Sequence, residues 1–177
     1  MKKLAKIIDE KTGECWVALG TDADFFKAQG FAEQDVDLSY NGVWYLSGHA
    51  PKQPVDLAKK EKLAEINSAY ESATSALVST YPQTELLTFD KQEQEARAWT
   101  EDSAAETPLV DMLVAGRQMD KAELVRRIIA KADAFALATG YLTGQRQRYE
   151  DLLDEAKTLE EVEAIVPEYV MPEGLTI

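Results

Sequence analysis

The chain has 177 residues, 45% of them hydrophobic, and a formal net charge of −13. That length suits one ordinary domain or two small ones with enough apolar side chains for a core. The acid excess peaks over residues 101–177, with 16 acidic against 8 basic residues. It argues against nucleic acid and anionic membrane surfaces as partners, since both need clustered Lys and Arg.

In chain order, LAKIIDEKTGECWVALG places two short apolar runs around an Asp9–Gly13 turn signal. This predicts a β-hairpin of roughly residues 3–8 and 14–19. MKKLAKIIDEKTG has lysines but no apolar run of signal-peptide length, so the expectation is a chain that stays inside the cell. Cys15, the single cysteine, excludes an intrachain disulfide and reads as an inert thiol in a strand, compatible with a reducing cytoplasm.

TDADFFKAQG predicts a short helix capped by Thr21, with Asp24 at its third position and Gly30 past its end. In DVDLSYNGVWYLSG, Asn41-Gly42 signals a type I′ hairpin turn before a strand at Val43–Leu46. The segment before that turn is either its partner strand or the end of a helix. Trp44 and Tyr45 then point to opposite faces. One ring belongs to a core and the other to a surface or an interface, the alternative being that the protein's own helices cover both faces. HAPKQPVD holds Pro51 and Pro54 and reads as a linker, with a boundary near residue 54.

The remainder has helical periodicity. Asp56 opens a helix whose Leu63, Ile66, Tyr70, Ala73, Leu77 and Tyr81 form a narrow seam, ended by Pro82. The seam packs within a bundle or pairs with another copy, and it is too short for a coiled coil on its own. A second helix runs from Asp90, boxed with Glu93, to about Thr100. On it Glu93 and Arg97 share a face as an ion pair. Ala96 and Trp99 form the packing face, and Glu95 is expected to point elsewhere. Thr107-Pro108 starts a third helix stopped at Gly116, and Asp120 with Glu123 starts a fourth. Gly140 and Gly144 are expected to break it before QRQRYEDLLDEA. Thr158 with Glu161 caps a last helix ending before Pro167, followed by a loose tail over 168–177.

The fold class is therefore α+β. A small N-terminal β-hairpin-containing unit with a short helix occupies residues 1–54. A mainly α-helical region with a long first helix occupies residues 55–177.

Chemistry is sparse. One His and one Cys cannot build a usual zinc site, and no EF-hand or phosphate loop is present. His49 in GHAP reads as a turn residue rather than a base for Cys15. The acids of YPQTELLTFDKQEQEARAW read as a solvated helix face. No catalytic residue, cofactor or metal is expected.

The runs YNGVWYLSGHAPKQP and INSAYESATSALVSTYPQTELLTFDKQEQEARAWTEDSAAETPLVDMLVAGR, followed by GQRQRYEDLLDEA, carry a resemblance. A YP-x-T-E elbow, a Q-x-x-EA-x-AW helix and a TP-initiated helix are its most specific part. The chain resembles the tail fibre assembly proteins, or tail fibre chaperones, of tailed phages and prophages. Matching positions are Tyr40, Trp44, Tyr45, Tyr81, Pro82, Glu85, Gln92, Glu95, Ala96 and Trp99. The resemblance implies a non-catalytic protein that binds a trimeric tail fibre. The partner-binding candidates are Tyr40, Trp44, Tyr45, Tyr81 and Trp99, with homo-oligomerisation through the Leu63–Leu77 seam as a further expectation. The implied location is the host bacterial cytoplasm during assembly. The alternative is a structural part of the tail, baseplate or fibre tip that stays in the virion.

Overall fold

The computed structural model describes residues 1–172. The chain is α+β and divides into two compact units, Met1–Ala58 and a second from Lys59 onward.

The first unit is a four-stranded antiparallel barrel of β1 (Lys2–Asp9), β2 (Glu14–Val17), β3 (Ala32–Leu38) and β4 (Trp44–Leu46), with α1 (Ala23–Ala28) between β2 and β3. The strand order β1-β2-β4-β3 closes on itself, which removes free sheet edges. The registers Ala5↔Val17, Cys15↔Trp44 and Val36↔Leu46 put apolar residues on one side of the sheet. Ala5, Cys15 and Val36 are buried there, with Val17, Trp44 and Leu46 packed against them. Burial pushes the Cys15 thiol pKa up, with a smaller contribution from Glu14.

Both turns depend on glycine. Gly13 closes the β1–β2 connection at φ +74°, and a Cβ there would meet His49 at 2.7 Å. The β3–β4 turn departs from the expected type I′ form. Gly42 alone has positive φ, and its amide donates to Ser39 O at 3.0 Å. The result is a three-residue connection with glycine in the left-handed position. The segment before it is strand, not helix. The α1 cap is Asp22, whose carboxylate accepts from Phe25 N, rather than Thr21.

Helix α2 (Val55–Val78) is followed by α3 (Gln83–Leu86), α4 (Phe89–Glu101), α5 (Pro108–Arg117), α6 (Lys121–Glu155) and α7 (Leu159–Glu163). Ala96, Val110, Leu124 and Val125 are the buried centre of α4, α5 and α6, flanked by Trp99, Leu113, Val114 and Ile128. The α2 seam lies antiparallel to α6. Lys59 Nζ donates to Asp154 O at 2.9 Å, Arg146 reaches Asn67 at 3.1 Å, and Tyr70 OH shares a 3.0 Å hydrogen bond with Thr143. Ile66 on the seam is fully buried. This is the intramolecular form of packing.

Four local expectations give way. Helix α4 is entered from Thr88, with Asp90 in its first turn and no side-chain cap bond, so the Asp90–Glu93 box does not form. Helix α5 runs past Gly116 to Arg117, and Gln118 supplies the left-handed cap at φ 51°. Helix α6 runs unbroken for 35 residues through Gly140 and Gly144. Each glycine costs about 1 kcal/mol of helix propensity. That is small against the burial of Leu124, Ala138, Leu142, Tyr149 and Leu153 along the same helix. The tail is not loose over residues 168–170. Tyr149 OH donates to Glu168 O, Glu168 N donates back to it, and Tyr169 OH donates to Ile66 O, each at 3.0 Å. Residues 173–177 of the expected tail lie outside the described residues. The Thr158–Glu161 capping box of α7 forms as expected.

Candidate functional site

The elbow between α2 and α4 walls a groove of about 920 Å³. Pro82 ends the approach to the turn and α3 redirects the chain, so that Leu77, Tyr81, Leu86 and Phe89 face Ile128 and Phe135 of α6. Tyr81 stacks edge-on to Phe89 with centroids 5.1 Å apart. The Lys131 ammonium lies 5.0 Å from the Tyr81 ring centroid and donates to its hydroxyl. Gln92 donates to Thr88 at 2.8 Å, fixing the start of α4. The rim is charged. Arg127 is tied to Glu123 at 2.6 Å, and Arg97 bridges Glu93 and Asp133.

Two acids of this region, Glu93 and Glu95, have structural partners. Glu93 pairs with Arg97 at 2.8 Å in exposed positions, as the i,i+4 spacing implies. Glu95 does not point to solvent. It is 3% exposed, and its Oε2 accepts from the amides of Leu109 and Val110 at 2.9 Å. The Lys91 ammonium stands 3.3 Å from Oε1, outside hydrogen-bond geometry. Glu95 thus caps α5 from a neighbouring helix. Thr107, the residue at the N-cap position, makes no cap bond. Its hydroxyl instead accepts from Lys121 at 2.6 Å and donates to Asp111 at 3.3 Å. A signal for Glu95 exists in the sequence, since on a helical wheel it lies about 40° from Trp99, within the packing face.

Electrostatic perturbations track these ion pairs. Hydrogen bonds from Arg126 and Arg127 hold the Glu123 carboxyl down at about 2. Lys121 lowers Asp111 in the same way. Among the described residues no group of three or more His, Cys, Asp or Glu is placed to hold a metal. His49 sits at the surface, 3.4 Å from Ser47 O, while Cys15 is in the barrel interior.

The five candidate binding residues fall in different settings. Tyr81 is in the groove wall. Trp99 packs on the α4–α5–α6 centre, with the Lys121 ammonium 5.4 Å from its ring. Trp44 turns into the barrel, its ring 5.0 Å from the Lys3 ammonium. Tyr45, on the opposite face of β4, is also buried. Only Tyr40 of that trio is largely exposed, and it shares this with Trp16, Leu19, Phe25 and Leu38, which the sequence reading did not single out. Trp16 was legible, because strand alternation puts it opposite Cys15.

These features describe a small barrel joined to a helical unit with an open apolar groove. A model of the HI1402 helical domain matches residues 130–167, which is well under half of the chain. No curated protein and no solved structure gave a match. No helix among the described residues is long and apolar enough to cross a membrane.

Proposed function

We propose that this chain is a phage tail fibre assembly protein, acting by non-catalytic binding to a trimeric tail fibre in the host cytoplasm. One observation carries the reading. The elbow that supplies the most specific part of the family resemblance, Tyr81 to Glu85, walls an open apolar groove in which Leu86 and Phe89 face α6. Fibre trimers fold slowly and expose apolar strands before closure. A groove of this kind suits transient capture of such surface. Glu93 serves as an ion pair and Glu95 as a helix cap, which for these two supports a structural role over catalysis.

The test is co-expression of the full chain with a tail fibre chain of the same phage, followed by size-exclusion chromatography with light scattering. A soluble complex that is lost in Leu86→Glu, and a chain absent from purified particles, are expected. Failure to form any complex overturns the proposal. A stoichiometric presence in purified particles replaces it with a structural role in the tail.

A further inference from the structure

The Asn41-Gly42 pair in the β3–β4 connection has a chemistry of its own. Asparagine is thermolabile, because the next backbone nitrogen can attack its side-chain amide carbon. Glycine after it gives that approach the least obstruction. The chain has two asparagines, Asn41 and Asn67. The fold puts them in opposite settings.

Asn41 and Gly42 are both exposed, and a Cβ on Gly42 would meet nothing within 4 Å, so water reaches the peptide bond between them. The Val43 amide donates to Asn41 Oδ1 at 3.0 Å. That donor polarises the side-chain carbonyl and stands where negative charge develops as Cγ becomes tetrahedral. The leaving nitrogen, Asn41 Nδ2, is held by a long 3.5 Å contact with Tyr45 OH. One bond opposes the reaction. Gly42 N donates to Ser39 O at 3.0 Å and must release before it turns toward Cγ. In an exposed turn that opening is local. Asn67 is exposed too, but it lies inside α2, and its Oδ1 accepts from Arg146 at 3.1 Å. Within a helix the following amide is bonded to the carbonyl four residues back, which fixes it away from the side chain.

We propose that Asn41 is a site of spontaneous covalent modification in the folded chain, and that Asn67 is not. Gly42 N forms a bond to Asn41 Cγ and the Cγ–Nδ2 bond breaks. The nitrogen leaves as ammonia, taking up the proton that Gly42 N gives up. Water then opens the cyclic imide. Cleavage between Gly42 N and Cγ leaves aspartate. Cleavage between Gly42 N and the Asn41 backbone carbonyl carbon leaves isoaspartate, with the main chain now running through Cγ. Either product adds a carboxylate to a chain of net charge −13. The isoaspartyl form also adds a backbone carbon to a connection that holds the Leu38↔Trp44 register, so the turn beside Tyr40 loosens. The inference stands whether or not the fibre reading does.

Incubation of the full chain in mildly alkaline buffer, with peptide mapping by mass spectrometry, tests this. A parallel sample is held unfolded in guanidinium. In the folded chain the Asn41 peptide is expected to gain the mass difference between an amide and an acid and to yield isoaspartate. The rate is expected to rise with pH, because Gly42 N must lose its proton. Asn67 is expected to stay intact until the chain is unfolded. Asn41→Ser blocks the reaction and keeps an oxygen that can accept from Val43 N. Hydrogen exchange over residues 38–46 is expected to quicken in the aged, isoaspartyl-containing chain and not in this variant incubated alongside. A folded chain that keeps Asn41 throughout overturns the proposal, and loss only after unfolding would show that the Gly42–Ser39 bond protects it. Equal loss of Asn67 in the folded chain also overturns it. Unchanged exchange in the isoaspartyl form overturns the loosening of the turn.

Discussion

The Glu95 carboxylate lies 2.9 Å from the backbone nitrogen of Val110 and caps a helix that begins more than ten residues after it. Two residues earlier on the same helix, Glu93 holds Arg97 in solvent. Near neighbours of identical chemistry thus carry different loads. Glu95→Ala leaves two helix amides without an acceptor and should cost about 2 kcal/mol. Glu93→Ala should cost about 0.5 kcal/mol or less. Urea denaturation of the two variants checks the contrast, and equal losses would remove the capping role.

Trp99 anchors α4 on the α5–α6 pair, beside the buried Ala96 and Val110. Because the ring is partly exposed, Trp99→Ala should destabilise by about 3 kcal/mol, the low end for a large aromatic. Trp99→Phe should recover much of this. Thermal unfolding by far-UV circular dichroism measures both. If Trp99→Ala kept wild-type stability yet abolished fibre binding, the ring would belong to the interface instead.

The Glu123 carboxyl is held at about 2 by Arg126 and Arg127, below its ordinary value of 4.5. A depressed carboxyl stabilises the fold above its unfolded-state pKa. That contribution is lost as pH falls from about 4.5 toward 2. Wild type should therefore exceed Glu123→Gln in stability at neutral pH, and the gap should narrow across that window. Denaturation of both chains at several pH values gives the answer, and a gap independent of pH would contradict it.

Tyr169 ties the segment after α7 to α2. Its hydroxyl donates to Ile66 O, and its ring meets Tyr70 and Tyr149 edge-on at 5.9 and 5.8 Å. Tyr169→Phe should cost about 1 kcal/mol and Tyr169→Ala about 3 kcal/mol. Burial also raises the Tyr169 pKa above its ordinary 10. The neutral phenol is the form the fold favours, so stability should decline as pH rises through that range. Ultraviolet titration of wild type against Tyr169→Phe follows the late-titrating phenol.

Much of the architecture was legible because it depends on neighbours in sequence. The β1–β2 hairpin follows from two apolar runs around a glycine turn. The start of α5 follows from Thr107-Pro108, that of α6 from Asp120, and that of α7 from Thr158 with Glu161. The Glu93–Arg97 pair follows from one turn of helix. What failed also failed for a local reason. Gly140 and Gly144 read as a break because propensity penalises them, while the packing of Leu142, Tyr149 and Leu153 on either side outweighs that penalty. Residues 168–170 read as a tail because nothing near them is periodic, and their partners are on α2 and α6.

The sequence by itself determined an acidic α+β chain, strands before helices, most helix starts and the separation of an N-terminal unit. These follow from composition, from periods of two and 3.6, and from capping within a few residues. Tertiary structure alone decided that four strands close into a barrel, that Glu95 caps a helix beyond its own, and that the elbow opens a groove toward α6. These depend on contacts between residues far apart along the chain, whose geometry is fixed only when the elements pack.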